Sequence, residues 1–194
     1  MRKILFFVLM FLFAAYAHAK DVAVFFDGDI DAAMGMYVYV FPENSASFDV
    51  VEEDGKSVLK VILDPNTWSG LSLGKYPLLN VSKDVPGAVL EIKIKGRKGG
   101  EKVRVSVLDA EDSDGKKVEV SKLLSPLKAD WEILRIRLIE FPVDGGYWDG
   151  KQMNPAKLDW SEIKEIRVVS SPNQNEEAEF FIEYVKIIKP DAVL

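Results

Sequence analysis

The segment Glu179-Phe-Phe-Ile-Glu-Tyr-Val-Lys-Ile-Ile-Lys189 decides the fold. From Phe180 to Ile188 it is apolar on both faces of an extended chain, apart from Glu183 and Lys186. A strand apolar on both sides sits in the middle of a sheet, not at its edge. The chain therefore closes on a central strand, and the earlier residues must wrap around it. Just upstream, Leu158-Asp-Trp-Ser-Glu-Ile-Lys-Glu-Ile-Arg-Val-Val-Ser170 reads as one short helical turn followed by a strand. Asp159 or Ser161 can cap the turn, since their side-chain oxygens accept from free backbone N–H groups just downstream. Ile163, Ile166, Val168 and Val169 begin the strand. Ser171-Pro-Asn-Gln-Asn-Glu-Glu177 is a loop, because Pro, Asn and like charges disfavour a ladder.

Working outward, Val22-Ala-Val-Phe-Phe26 and Gly35-Met-Tyr-Val-Tyr-Val-Phe41 read as two early strands, rich in β-branched and aromatic residues. Ser47 to Glu52 and Ser57 to Leu63 form a hairpin about Glu53-Asp-Gly-Lys56, where Asp-Gly supplies the positive φ of a tight turn. Asp64-Pro-Asn-Thr-Trp-Ser-Gly70 is a loop, and Leu71 to Leu73 a short strand. Ala88 to Lys95 and Lys102 to Leu108 alternate apolar and polar around Arg97-Lys-Gly-Gly100, which predicts an antiparallel hairpin with one solvated face. Asp109 to Lys117 is a polar turn. Trp131 to Ile139 is a strand with Arg135 and Arg137 on one face. Phe141 to Pro155 reads as a long Gly-rich loop. About ten strands separated by turns, without a long amphipathic helix, argue an all-β fold: a two-sheet antiparallel jelly-roll sandwich.

Residues 1–19 stand apart. Arg2 and Lys3, an apolar run from Ile4 to Ala15, and Ala17-His-Ala19 make a signal peptide with a small-x-small cleavage site. The run is shorter than the ~20 residues of a membrane-spanning helix. The expectation is a protein exported to the periplasm or beyond, with one domain over 20–194 and no membrane insertion after cleavage. The chain's formal charge is −6; loss of Arg2 and Lys3 makes it −8. An acidic domain repels polyphosphates, so nucleic acid is not expected as a partner. Anionic polysaccharide is disfavoured in the same way unless one face is locally basic. There is no Cys, and the single His, His18, lies in the leader. Ser-His-Asp and Cys-His chemistry and His- or Cys-based zinc sites are thereby excluded from residues 20–194.

The closing turn and strands, with Glu183 where an Asp is usual, resemble the end of the galactose-binding-like β-jelly-rolls, to which many carbohydrate-binding modules belong. That resemblance implies a non-catalytic module that binds glycan on a concave sheet face. It also implies a structural calcium clamped between the start and end of the chain. Its ligands would be Asp27, Asp29 and neighbouring Asp31 with Glu183; calcium takes six to eight oxygens in loose geometry. The alternation of the three aspartates is also that of an EF-hand start, but the Gly and Glu that complete such a loop are absent. Glu183, on a strand apolar on both faces, needs a partner: Lys, Arg or calcium.

Sugars present flat patches of C–H bonds on which exposed rings stack. Trp68, between Asn66 and Ser69, Tyr76, and Tyr147-Trp148 beside Asp149 are rings next to polar groups in or near loops. These six residues, Asn66, Trp68, Tyr76, Tyr147, Trp148 and Asp149, are the candidate ligand contacts; a loop Trp can equally fold back over the sandwich end. Trp131 and Trp160 read as core. Arg135 with Arg137, and Lys93 with Lys95, form either basic strips or solvated sheet faces. Two rivals to the glycan-binding reading remain. The last third is similar to periplasmic flagellar sheath proteins, which implies a structural or assembly protein with an envelope partner. A carboxylate-dependent hydrolase or lyase would need two acids facing across a cleft, and no strand displays such a pair.

Overall fold

The computed structural model describes residues 20–31, 34–171 and 177–190. Residues 1–19, the expected leader, lie outside them, as does most of the loop expected after Ser171. The described residues form thirteen strands: β1 (Lys20–Asp27), β2 (Met36–Phe41), β3 (Ala46–Glu53), β4 (Lys56–Leu63), β5 (Gly70–Leu79), β6 (Val89–Gly96), β7 (Val103–Asp109), β8 (Glu119–Leu123), β9 (Glu132–Arg137), β10 (Asp144–Trp148), β11 (Met153–Lys157), β12 (Ile163–Ser170) and β13 (Ala178–Lys189). They make two antiparallel sheets. The first has the order β3-β4-β13-β6-β9, with β1 also paired to β13; the second has the order β11-β10-β8-β7-β12-β5-β2. Among the described residues no helix is long and apolar enough to cross a membrane.

β13 is central, as its two apolar faces require. Its first half, Ala178 to Ile182, pairs with β4, and its second half, from Tyr184 on, pairs with β1. β6 runs along its other side, with a register shift between Ile182 and Tyr184 that leaves Glu183 in a bulge. Phe180, Ile182, Val185 and Ile187 are buried there against Leu71, Val105, Ile166 and Val168 of the other sheet. The two inner faces thus close one core, the sandwich arrangement. The β3–β4 hairpin turns on Asp54 (φ 53°) and Gly55 (φ 74°), the two-residue turn in which both residues take positive φ.

Several details differ from the sequence reading. β6 and β7 do not pair: β6 lies between β13 and β9, β7 between β12 and β8. Arg97 to Gly100 carries the chain from one sheet to the other. Alternation assigns faces but not partners, so a short connection between two alternating strands looks like a hairpin whether or not it is one. The segment expected as a long Gly-rich loop contains the β10–β11 hairpin, with Tyr147 opposite Asn154 and Trp148 opposite Met153. β5 runs ten residues and includes Tyr76. The expected helical turn at 158–162 is a single turn, capped as anticipated by Asp159, whose Oδ1 accepts from Ser161 N at 2.8 Å.

Phe180 has no exposed surface, and emptying so large a site costs about 3–5 kcal/mol. Phe180→Ala should lower the unfolding free energy by that amount in a urea titration, with the slope unchanged. A loss below about 1 kcal/mol would mean that β13 is not the centre of the core.

Candidate functional site

The outer face of the second sheet is built from strands whose apolar side chains point inward. On β2, Val38 and Val40 pack on the core, so Tyr37, Tyr39 and Phe41 share the opposite face. On β5, Leu71 and Leu73 are inward and fully buried, which leaves Gly70, Ser72 and Gly74 outward. The β2 rings use this lack of side chains. A Cβ added to Gly74 would lie 1.9 Å from Tyr37 Cζ, and one on Gly70 would lie 2.6 Å from Phe41 Cζ. The rings therefore occupy the space above β5. Their hydroxyls reach the next strand, β12: Tyr39 donates to Glu165 Oε2 at 2.9 Å and Tyr37 to Oε1 at 3.2 Å.

Two further rings extend this track at its ends. Tyr76 stacks on Tyr37 with centroids 5.8 Å apart, and Trp68 lies 4.9 Å from Phe41. Tyr39 lies 6.2 Å from both Tyr37 and Phe41, so five rings form one line along the sheet edge. Trp68 and Tyr76 keep 58% and 51% of their surface exposed. The Trp68 loop is tied down by two bonds within it and one from β12: Asn66 N donates to Asp64 Oδ1, Ser69 Oγ to Asp64 O and Ser170 Oγ to Thr67 O.

Directly opposed residues share a face, so the registers define three rows across the sheet. One row is Phe41, Gly70, Val169, Arg104 and Leu123; the next is Tyr39, Ser72, Arg167, Ser106 and Ser121; the third is Tyr37, Gly74, Glu165, Leu108, Glu119 and Gly146. Aromatic groups hold one end and polar groups the middle. Glu165 is buried, and its Oε2 also accepts from Ser72 Oγ at 2.8 Å and from Arg167 Nη2 at 2.9 Å. Burial works to raise its pKa, but the Arg167 charge and the Ser72 and Tyr39 bonds outweigh this and hold it below the usual carboxylate range. Burial and the facing Glu165 charge push the Tyr37 phenol well up, so it stays a neutral donor. Arg167 also pairs with Glu119 at 3.4 Å and lies 4.7 Å from the Phe41 ring. Beyond Ser121, a depression of about 420 Å³ opens between Glu119, Ser121, Asp144, Gly146, Met153 and Asn154.

Residues 25–189 match the family described as Carbohydrate binding domain 30. The chain belongs to that family. No curated protein sequence matches it. Among solved structures, a family 11 carbohydrate-binding module from Clostridium thermocellum, in complex with a β-1,3-1,4-mixed-linked tetrasaccharide, superposes with a TM-score of 0.63 at 15% identity, covering 84% of this chain and 93% of that one. The family 30 module of a cellulosomal cellulase of Clostridium thermocellum gives 0.63 at 18% identity, over 89% and 99%. An exo-β-agarase gives 0.57 at 13% identity, over 89% of this chain and 26% of the enzyme. At these identities the likeness is one of fold, the jelly-roll sandwich expected from the closing strands.

Of the six candidate contacts in this family 30 domain, the structure brings Trp68 and Tyr76 into the track and Asn66 into the loop beside it. Trp148, 62% exposed, is set apart on β10. By alternation it shares the face of Gly146 and Glu119, but β10 is four strands from β5, roughly 19 Å at the usual strand spacing. Tyr147 points the other way, with Lys116 Nζ 5.4 Å from its ring centroid. Asp149 holds the β10–β11 turn, its Oδ1 accepting from Lys151 N and Gln152 N. The sequence reading missed Tyr37, Tyr39, Phe41, Glu165 and Arg167. The signal was there: aromatic residues at every second position of β2, facing Gly-x-Ser-x-Gly on β5.

The calcium expectation meets a different partner. β1 and β13 do bring Asp27 opposite Tyr184, next to Glu183. Yet Glu183 Oε1 takes Lys56 Nζ and Oε2 takes Lys93 Nζ, both at 2.6 Å. Burial would raise the Glu183 pKa, but these two ammonium groups outweigh it and hold the carboxyl low. Asp29 Oδ1 caps its own turn by accepting from Ile30 N. Among the described residues no three acidic side chains converge on a metal position. The donor set therefore does not fit the expected clamp, and a chelator should leave the melting temperature unchanged. A fall of several degrees, restored by added calcium, would reinstate Asp27, Asp29 and Glu183 as ligands.

The Glu165–Arg167 pair has a pH signature. Because the folded pKa of Glu165 is lowered, its contribution is complete above the ordinary Glu range and drains as pH falls through the folded value. Asp109, raised by burial despite bonds from Val118 N and Asp159 N, has the opposite sign: its share is lost as pH rises through its folded value. Glu165→Gln should remove about 3 kcal/mol at neutral pH, since it leaves Arg167 short of its buried partner. It should also flatten the acid limb of a stability–pH profile. An unchanged limb would mean that Glu165 carries no linkage.

Proposed function

We propose that this family 30 domain binds polysaccharide without transforming it, by laying the faces of successive sugars along the Tyr76-Tyr37-Tyr39-Phe41-Trp68 track. The observation that carries the reading is the track itself: five neighbouring rings, centroids 4.9–6.2 Å apart, fixed from beneath and left open above. The half-buried Ser121 and Arg167 supply hydrogen-bonding groups beside it for sugar hydroxyls. The family favours glycan over the coat-protein alternative, and the family 11 relative is in complex with a β-1,3-1,4-mixed-linked tetrasaccharide. β-Glucans are therefore the ligand class to test first. The two carboxylates of the rows, Glu165 and Glu119, are both turned to Arg167. A carboxylate so engaged supports a positioning role and not that of a hydrolytic acid or base. The segment 1–19 supports delivery out of the cytoplasm, where polysaccharide is met.

Titration of mixed-linked β-glucan into the protein should give saturable binding. Tyr39→Ala should weaken it by roughly thirtyfold, about 2 kcal/mol, as expected for a central aromatic contact. Trp148→Ala should weaken long chains more than short oligosaccharides, because Trp148 lies across the sheet from the track. Equal affinity in Tyr39→Ala, with the fold intact by circular dichroism, would remove the track from the site.

A further inference from the structure

We infer that the glycan carries an acidic substituent, a carboxylate or a sulfate ester, held by Arg104 in the polar middle of the face. This rests on the glycan-binding reading and narrows its ligand. Arg104 sits on β7 between Val169 of β12 and Leu123 of β8, in the row that begins at Phe41. It is half-buried. Its Nε is buried and has no hydrogen-bond partner. Two residues on, on the same face, Ser106 is fully buried and its Oγ is likewise unpartnered. Every other half-buried cation among the described residues has a carboxylate, a carbonyl or a ring: Lys60 pairs with Glu179, Lys93 with Glu183, Lys95 with Glu53, Lys116 with Asp114, Lys117 with Glu111, Lys122 with Glu140, Arg167 with Glu165 and Lys186 with Asp21, while Lys75 donates to Val24 O and Lys164 lies over Tyr76. Arg104 has none of these.

A buried donor without an acceptor is expensive, and native chains keep few of them. Here two occur side by side just beneath the face proposed to meet a ligand, and only the rest of the Arg104 side chain reaches solvent. Both carboxylates of the rows are committed to Arg167, so among the described residues Arg104 has no paired carboxylate. A sugar hydroxyl would satisfy its hydrogen bonds but not its charge. A carboxylate or sulfate satisfies both, since its paired oxygens match the planar fork of a guanidinium. The chain as a whole is acidic, at −6. A local cation then gives an anionic chain a point of approach on this face.

The test is isothermal titration of the full chain with three oligomers on one backbone: cellohexaose, its C6-oxidised counterpart carrying carboxylates, and its 6-sulfated form. At low salt, one acidic oligomer should bind about tenfold tighter than the neutral one, the size of one charge-assisted contact. Whichever acidic form shows the larger preference identifies the substituent. The preference should shrink as ionic strength rises. Arg104→Gln should bring the affinities together, and Arg104→Lys, which keeps the charge but loses the fork, should fall between. Equal or weaker binding of both acidic oligomers, or a preference that survives in Arg104→Gln, overturns the inference and leaves neutral-glycan binding standing. Absence of binding by all three overturns the inference, and the mixed-linked β-glucan titration decides the glycan-binding reading separately.

Discussion

The Glu165 carboxylate accepts from two tyrosines of one strand, a serine of the next and an arginine two residues along its own strand. The outer face of the seven-stranded sheet depends on this cluster. A buried carboxylate is tolerated only when paired and hydrogen-bonded, and here the groups that satisfy it are those whose positions matter. Tyr37 and Tyr39 can reach it only by lying across β5, and they can lie there only because β5 presents Gly70, Ser72 and Gly74 to them. Arg167, fixed by the same oxygens, stands against the Phe41 ring. One charge thus sets the direction of three rings. Rings fixed in this way lose little freedom when a ligand arrives, which is how preorganisation turns contact area into affinity.

The two outer faces of the sandwich show what the cluster achieves. The first sheet also has a polar outer face, but it is filled by its own charges. Glu183 joins Lys56 to Lys93, Glu53 takes Lys95, and Glu91 takes Arg135 and Tyr184. Lys95 further covers the Trp131 ring, whose Nε1 donates to Asp54. Lys93, Lys95, Arg135 and Arg137, which read as either basic strips or solvated sheet faces, are therefore the cationic halves of these pairs and of the Arg137–Glu140 pair. Such a face has little unmet hydrogen-bonding capacity. The second sheet instead leaves rings open at one end and donors unmet in the middle.

The fold was legible because its central strand is unusual in composition. A run from Phe180 to Ile188 that is apolar on both sides apart from Glu183 and Lys186 has one place to go, and β13 takes it. The β3–β4 turn was legible because Asp54-Gly55 adopts the one geometry that such a dipeptide favours. Strand partners were not legible: β6 and β7 share the same alternation, and the four residues between them form a crossover as readily as a hairpin. The site was half legible for a similar reason. Trp68 sits in a polar loop and Tyr76 stands between Lys75 and Pro77 after the apolar run of β5, where an aromatic stands out. Tyr37, Tyr39 and Phe41 lie within a run that satisfies every expectation for a strand, so their composition was absorbed by secondary structure. Only the pairing of β2 with β5 reveals that the alternate residues are rings on one side and glycines on the other.

This pairing also explains why the second sheet and not the first can carry a row of rings on its outer face. A ring lying on a sheet needs a neighbour without a side chain, and a glycine inside a strand weakens that strand. The weakness is least harmful where adjoining strands are long and well packed. β5 is such a strand, held by β2 on one side and by β12 on the other, with Leu71 and Leu73 fully buried beneath. The glycines are therefore placed where the inner face compensates for what the outer face gives up. The inner leucines stabilise the strand, the outer glycines admit the rings, and the two demands are separated by the alternation of the strand itself.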